Sequence, residues 1–93
     1  MNYMLNLPFM MIKIDKYIVW AAFSDPKAKK ALTATVKMIK DMDLIVLAEG
    51  VEKKEHVEAL IQMGCDYLQG YYYSKPVPKN EFLQIMMNSK NKN

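Results

Sequence analysis

The feature that most constrains the fold is an alternation of short aliphatic runs with amphipathic helical patterns. The aliphatic runs have the length and continuity of strands that are covered on both faces. The predicted strands are about 9–15, 44–49 and 66–73, and the predicted helices are about 25–42, 53–63 and 80–88. Strands separated by single helices pair in parallel through right-handed crossovers, so the sequence predicts an α/β fold in the order β-α-β-α-β-α.

Capping residues mark the ends of the predicted helices. Ser24 or Asp25 can cap the first helix, with Pro26 at its first position, and Gly64 is typical of the end of the second. Apolar residues at spacings of three and four predict one buried face on the first helix. That face consists of Ala28, Ala31, Leu32, Val36 and Ile39.

Composition excludes several classes of protein. The chain has 93 residues, 52% of them hydrophobic and 25% charged, which is typical of one small globular domain. Its net charge of +3 comes from lysine without any arginine, which argues against a DNA or RNA partner. A single cysteine cannot form an intrachain disulfide, which suits a cytoplasmic location. No apolar run reaches the roughly 18 residues of a transmembrane helix, so membrane insertion is not expected.

Polar side chains recur near the carboxyl end of each predicted strand. Because alternate residues of a strand point to opposite faces, Lys13 and Asp15 share one face of the first strand. Glu49 and Gln69 lie at the corresponding ends of the second and third strands. In parallel α/β proteins the carboxyl ends of several strands converge on one ligand, so these side chains are candidates for a shared site.

Each candidate also has a purely structural interpretation. Lys13 and Asp15 could form an ion pair at the strand end, and Glu49 could be an exposed loop carboxylate. Gln69 could bond the backbone of a turn. His56 has no histidine or cysteine at metal-ligand spacing, which predicts a solvated surface residue. The matching positions of the other residues on three strands favour a common site.

Three motifs in this order and spacing resemble the C-terminal part of EAL domains, the cyclic di-GMP phosphodiesterases of bacteria. The motifs are KID at 13–15, AEGVE at 48–52 and GCDYLQGYYYSKP at 64–76. The resemblance extends from about Leu5 to about Met87. It implies that residues 1–93 are a C-terminal fragment of an EAL domain, namely the last three βα units of a partial TIM-type (β/α)8 barrel.

The resemblance also implies a chemistry and a set of site residues. EAL domains hydrolyse one phosphodiester of cyclic di-GMP to linear pGpG with Mg²⁺ or Mn²⁺. Lys13 matches the lysine that contacts the attacking water and the scissile phosphate, and Glu49 matches a carboxylate that ligates metal or acts as a base. Glu52 matches a second glutamate that organises the site. Gln69 matches the site glutamine, and Asp15 is expected to support these residues.

Most of the metal ligands in the EAL pattern would precede the first residue of this chain. We therefore expect the 93-residue chain to bind no metal and to be catalytically inactive alone, because hard divalent ions take about six oxygen ligands. The alternative function is a non-catalytic interaction module. In that interpretation Lys13, Gln69 and the tyrosines at 71–73 hold a nucleotide or a protein partner without turnover.

An arc of three strands taken from a barrel would expose two sheet edges and the side chains that face the barrel lumen. Those side chains are predicted to be Met11, Ile45, Leu47 and Tyr67. Unpaired edges and exposed apolar faces recruit partners, so the sequence predicts a homo-oligomer of the fragment.

Overall fold

The computed structural model describes residues 10–70 and 75–91, which form one mixed α/β sheet structure. The elements are β1 (Met11–Ile14), α1 (Lys16–Ala22), α2 (Pro26–Asp41), β2 (Ile45–Val51), α3 (Lys54–Met63), β3 (Tyr67–Gly70), β4 (Val77–Pro78) and α4 (Lys79–Asn91). The sheet order is β1-β2-β3-β4. The first three strands are parallel, and β4 runs antiparallel to β3.

Helix α1 was not predicted, and it shortens the first strand. Asp15 does not extend β1, because its carboxylate accepts a hydrogen bond of 2.9 Å from the backbone N–H of Tyr17 and thereby caps α1. The strand therefore ends at Ile14. The expected alternation that placed Asp15 on one strand face with Lys13 was wrong for this reason.

Strand β4 is the second unpredicted element. Val77 lies opposite Leu68, and Pro78 lies opposite Tyr67. A proline lacks the N–H that a second neighbour would need, so its place on the edge strand is consistent with its chemistry. The predicted third strand also included residues 71–73, which lie outside the described residues.

The core lies between one face of the sheet and the helices. Helix α2 contributes Leu32, Val36 and Ile39 to it, whereas Ala31, which was predicted to share that face, is exposed. Burial of such aliphatic side chains provides the main driving force for the fold. The core also contains Val46, Ala48 and Val51 of β2, Val57 and Leu60 of α3, Leu68 of β3 and Phe82 of α4.

A β-bulge at Gly50 changes the alternation of side chains along β2. The register between β2 and β3 shifts between Glu49 and Val51, and Gly50 has a φ of +74°. In a regular strand, Val51 would lie on the same face as Glu49, because the two residues are two positions apart. Gly50 is the extra residue of the bulge and breaks this alternation. Instead Val51 is buried in the core, which leaves Glu49 on the opposite face.

The sheet face opposite the core is less exposed than the sequence predicts for side chains that face the barrel lumen. Leu47 is only 1% exposed, so the prediction that it would be bare was wrong. Its register partners Lys13 and Tyr67 flank it on the two neighbouring strands and help to shield it. Ile45 and Tyr67 are half-buried, and only Met11 of this set is exposed.

Within the described ranges, every helix is too short or too polar to cross a bilayer.

Candidate active site

Neighbouring parallel strands bring Lys13 and Glu49 into contact. Lys13 on β1 is aligned with Leu47 on β2, so Glu49 lies two positions further along the same face of the sheet. The Lys13 Nζ atom is 3.1 Å from Glu49 Oε2. The lysine side chain is 61% exposed and the glutamate side chain 22%, so the carboxylate is sheltered while the ammonium group remains accessible to an anion.

Gln69 lies beside this ion pair on the next strand. It is the direct register partner of Glu49, and both residues are half-buried. Register partners in adjacent strands present their side chains to the same face, so Glu49 and Gln69 lie side by side. Lys13 is aligned with Leu47, two positions before Glu49 on the same face, and reaches Glu49 through the ion pair. Lys13, Glu49 and Gln69 are together called the row. The structure thus brings together three of the residues selected from the sequence.

Glu52 and Asp15 lie at the border of this row rather than within it. Glu52 is exposed and follows β2 immediately after Val51, which is buried. Position 52 lies beyond the last paired residue of β2, and the negative charge of Glu52 acts on His56 of α3. Asp15 caps α1, and the ion pair that Lys13 makes in the described residues is with Glu49, not with Asp15.

Helix α1 packs directly against the bulge that follows Glu49. The indole N–H of Trp20 donates a hydrogen bond of 2.8 Å to the carbonyl oxygen of Gly50. A Cβ atom at Gly50 would lie 2.5 Å from the Cβ of Lys16. The backbone of β2 therefore approaches α1 at position 50 more closely than a residue with a side chain would allow. Sequence reasoning missed Trp20. The available signal was Asp15 as a cap followed by apolar residues at Val19 and Ala22.

His56 is half-buried, so the prediction of a solvated surface residue was wrong. Its ring stacks on Phe23, which follows α1, with ring centroids 3.9 Å apart and the ring planes 5° from parallel. Burial, and then the positive charge of Lys53, lower the pKa of His56 below its usual value of 6.5. Burial therefore favours a neutral imidazole, and the stacked rings join α3 to the end of α1.

The described residues do not by themselves fit a divalent metal ion. Within residues 10–70 and 75–91, no three His, Cys, Asp or Glu side chains form a cluster that could hold one. Glu49 is half-buried, and its Oε2 atom contacts an ammonium group. A hard cation needs several more oxygen ligands than this arrangement supplies.

The family is decided by a match to the model described as EAL domain, which covers residues 1–76. This chain belongs to the EAL domain family. The membership predicted from the KID, AEGVE and GCDYLQG motifs is therefore confirmed. Lys13, Asp15, Glu49, Glu52 and Gln69 all lie within the matched EAL segment.

Similar proteins include an enzyme and two solved EAL structures. The cyclic di-GMP phosphodiesterase PdeL of Escherichia coli (strain K12) is 38% identical over 82 residues, which is 88% of this chain and 23% of PdeL. The EAL domain protein from Listeria monocytogenes EGD-e is 36% identical with a TM-score of 0.63, over 92% of this chain and 35% of that structure. EAL enzyme Bd1971, solved with cAMP and cyclic di-GMP bound, is 36% identical with a TM-score of 0.64. That match covers 83% of this chain and 20% of the Bd1971 chain.

The match covers only a short part of each related EAL protein. The chain spans 10% to 23% of the length of the first curated relatives that it matches. It therefore corresponds to a short part of each of those proteins.

Proposed function

We propose that this chain is the C-terminal part of an EAL phosphodiesterase that hydrolyses cyclic di-GMP to linear pGpG with Mg²⁺ or Mn²⁺. Its three parallel strands would be the last three of a TIM-type (β/α)8 barrel. The observation that carries the proposal is the row formed by Lys13, Glu49 and Gln69 in a chain of the EAL family. PdeL, a cyclic di-GMP phosphodiesterase, and Bd1971, solved with cyclic di-GMP bound, support the choice of substrate.

The row contains groups that suit phosphodiester hydrolysis. In the reaction, a water oxygen bonds to phosphorus, the bond from phosphorus to the 3′ oxygen breaks, and the 3′ oxygen leaves with a proton. The accessible ammonium of Lys13 can stabilise negative charge on the phosphate oxygens. The neighbouring carboxylate of Glu49 can accept a proton from the water. The amide of Gln69 can orient the substrate by hydrogen bonding.

The 93-residue chain alone is proposed to be inactive. Glu49 would serve as a metal ligand only together with carboxylates from protein segments outside this chain, since the described residues form no metal-binding cluster. Glu52 would organise the site from its position next to the bulge. A cytoplasmic location and the absence of a nucleic-acid partner remain predictions from the sequence.

A chimera tests this proposal directly. In PdeL, the segment that matches this chain over 82 residues is replaced by the corresponding residues of this chain. We expect the chimera to convert cyclic di-GMP to pGpG, measured by chromatography, and the 93-residue chain to produce none. In the chimera, Lys13→Met and Glu49→Gln should each lower kcat by about 100-fold or more, the usual range for loss of a charge-stabilising or proton-transferring group.

The control replaces a lysine that lies elsewhere. Lys37 is exposed on α2 and pairs with Asp41 of the same helix, so Lys37→Met should leave the rate unchanged. A chimera that binds cyclic di-GMP without cleaving it would favour the interaction module. Full activity of the Lys13→Met chimera would refute the role given to the row.

A further inference from the structure

Gly50, the residue that directly follows Glu49, is skipped in the pairing of β2 with β3. The register passes from Glu49 to Val51, and the register of β2 with β1 ends earlier, at Ala48. Glycine has the widest backbone freedom of any residue, and this one has a φ of +74°. The orientation of the backbone after Glu49 therefore depends on contacts from outside the sheet.

Trp20 of α1 supplies such a contact. Its indole N–H donates a hydrogen bond of 2.8 Å to the carbonyl oxygen of Gly50, which lies 30 residues further along the chain. The Trp20 side chain is half-buried and packs against the hydrophobic core. A hydrogen bond sheltered from water in this way is stronger than an exposed one, so it is suited to holding the bulge in one conformation.

The indole ring is itself held in place by its own helix. The ring of Tyr17 meets it edge to face, with centroids 5.5 Å apart, and the ammonium group of Lys16 lies 5.7 Å from its centre. Helix α1 is fixed at its start by the Asp15 cap, and Phe23 at its end stacks on a ring of α3. The donor that reaches the bulge is therefore preorganised.

The Glu49 residue lies between two backbone positions that are held by neighbours. On one side Gln69 of β3 is its register partner, and on the other the next carbonyl along the chain accepts from Trp20. Its Oε2 atom is 3.1 Å from Lys13 Nζ. Because proton transfer requires a closely defined geometry, a small displacement of this carboxylate lowers the rate of a reaction that uses it.

We propose that Trp20 is a positioning residue for the hydrolysis. Its indole N–H holds the bulge at Gly50 and thereby keeps the carboxylate of Glu49 in the orientation that proton transfer requires. This inference rests on the proposed function. Trp20 acts through the backbone of Gly50, so the N–H group of the indole matters for the rate in addition to its size and shape.

The effect on the bulge can be measured without any activity. Trp20 is the single tryptophan of the chain, and it is replaced in the 93-residue chain by benzothienylalanine, in which sulfur takes the place of the indole N–H. The NMR order parameters of Glu49 and Gly50 should fall clearly below the value of about 0.85 that is typical of rigid backbone. Val46, near the other end of β2, should be unaffected. Fluorotryptophan keeps the N–H and should leave all three residues unchanged. Equal order parameters with the two analogues would overturn the proposal.

The effect on the reaction is measured in the PdeL chimera. Benzothienylalanine in place of Trp20 should lower kcat by about 10-fold, because the proton acceptor is misplaced. KM should change by less than about twofold, since Lys13 and Gln69 remain to contact the substrate. Fluorotryptophan should retain the full kcat.

A core substitution separates positioning from stability. Val36 is 0% exposed, so Val36→Ala should lower the midpoint of thermal unfolding more than benzothienylalanine does and yet leave kcat unchanged below that midpoint. A chimera that is inactive with Trp20 intact would refute the proposed function. An active chimera that keeps its kcat with benzothienylalanine would refute the role of Trp20 alone.

Discussion

At the scale of the residue, Gly50 is a position beside the candidate site where a larger side chain does not fit. A Cβ atom there would lie 2.5 Å from Lys16 Cβ and 3.0 Å from Trp20 Nε1, and the φ of +74° is unfavourable for other residue types. We expect Gly50→Ala to lower the free energy of unfolding by about 3 kcal/mol or more, combining the left-handed penalty with the displacement of α1. Urea unfolding followed by circular dichroism measures this loss.

A second left-handed glycine provides the control. Gly64 ends α3 with a φ of +114°, but a Cβ atom there would meet Lys40 Cγ at 3.4 Å and Val36 Cγ1 at 3.6 Å, which are ordinary contact distances. Gly64→Ala should therefore cost only the backbone penalty, about 1 to 2 kcal/mol. If the two substitutions had equal cost, the close approach of α1 to the bulge would not be what constrains Gly50.

At the scale of the element, Asp66 connects α2, β2 and β3 at the end of the sheet opposite the candidate site. Its Oδ2 atom accepts hydrogen bonds from Lys40 Nζ at 2.7 Å and from the Val46 N–H at 2.9 Å. Its own N–H donates to the Val46 carbonyl, and its carbonyl accepts from the Lys79 N–H. One side chain thus fixes the start of two strands and the end of a helix.

Removal of the Asp66 carboxylate should loosen these junctions together. Asp66→Ala leaves the Val46 N–H and the Lys40 ammonium without this acceptor, and we expect a loss of about 1.5 to 3 kcal/mol in the free energy of unfolding. Lys37→Ala breaks the exposed ion pair with Asp41 and should cost no more than about 0.5 kcal/mol. Chemical denaturation of both variants measures the difference, and comparable losses would show that Asp66 has no special structural role.

The elements that could be predicted from the sequence are those with a strong period of their own. Helix α2 shows a repeating core face ending at Ile39, and β2 is a continuous aliphatic run, so both were located within two residues. Helix α1 and strand β4 are seven and two residues long, too short to show a period, and were missed. The position of Asp15 depended on a competition between extending a strand and capping a helix, which local pattern does not decide.

The candidate site was easier to predict than the short elements because it depends on the register of parallel strands. Lys13, Glu49 and Gln69 each stand near the end of a strand that the sequence marks clearly, and parallel pairing aligns those ends. The sequence did not reveal the bulge that separates Glu49 from Val51 or the contact of Trp20 with Gly50, because both require a residue from elsewhere in the chain. Long-range contacts of this kind have no local periodic signal.

At the scale of the whole molecule, half-buried His56 and buried Cys65 make stability depend on pH in opposite directions. The pKa of His56 is lowered by burial, so the folded chain binds its proton less readily than the unfolded chain. The stability from a neutral His56 is therefore present above about pH 6.5 and is lost as the pH falls below it. Burial raises the pKa of Cys65 from 9.0 to about 12, so the folded chain holds that proton more tightly. The stability from Cys65 is present below pH 9 and is lost as the pH rises.

The loss of stability at alkaline pH should be larger than the loss at acidic pH, because Cys65 is 0% exposed and lies in the hydrophobic core. With a shift from 9.0 to about 12, ionisation of the unfolded thiol should remove about 1.4 kcal/mol of stability between pH 7 and pH 10. Lysine and tyrosine titrate in the same range, so the measurement is the difference between the wild-type chain and Cys65→Ala at each pH. That variant loses some packing at every pH but carries no thiol, so its stability deficit relative to the wild-type chain should narrow as the pH rises through 9. A difference that stays constant from pH 7 to pH 10 would mean that the thiol is not protected by the fold.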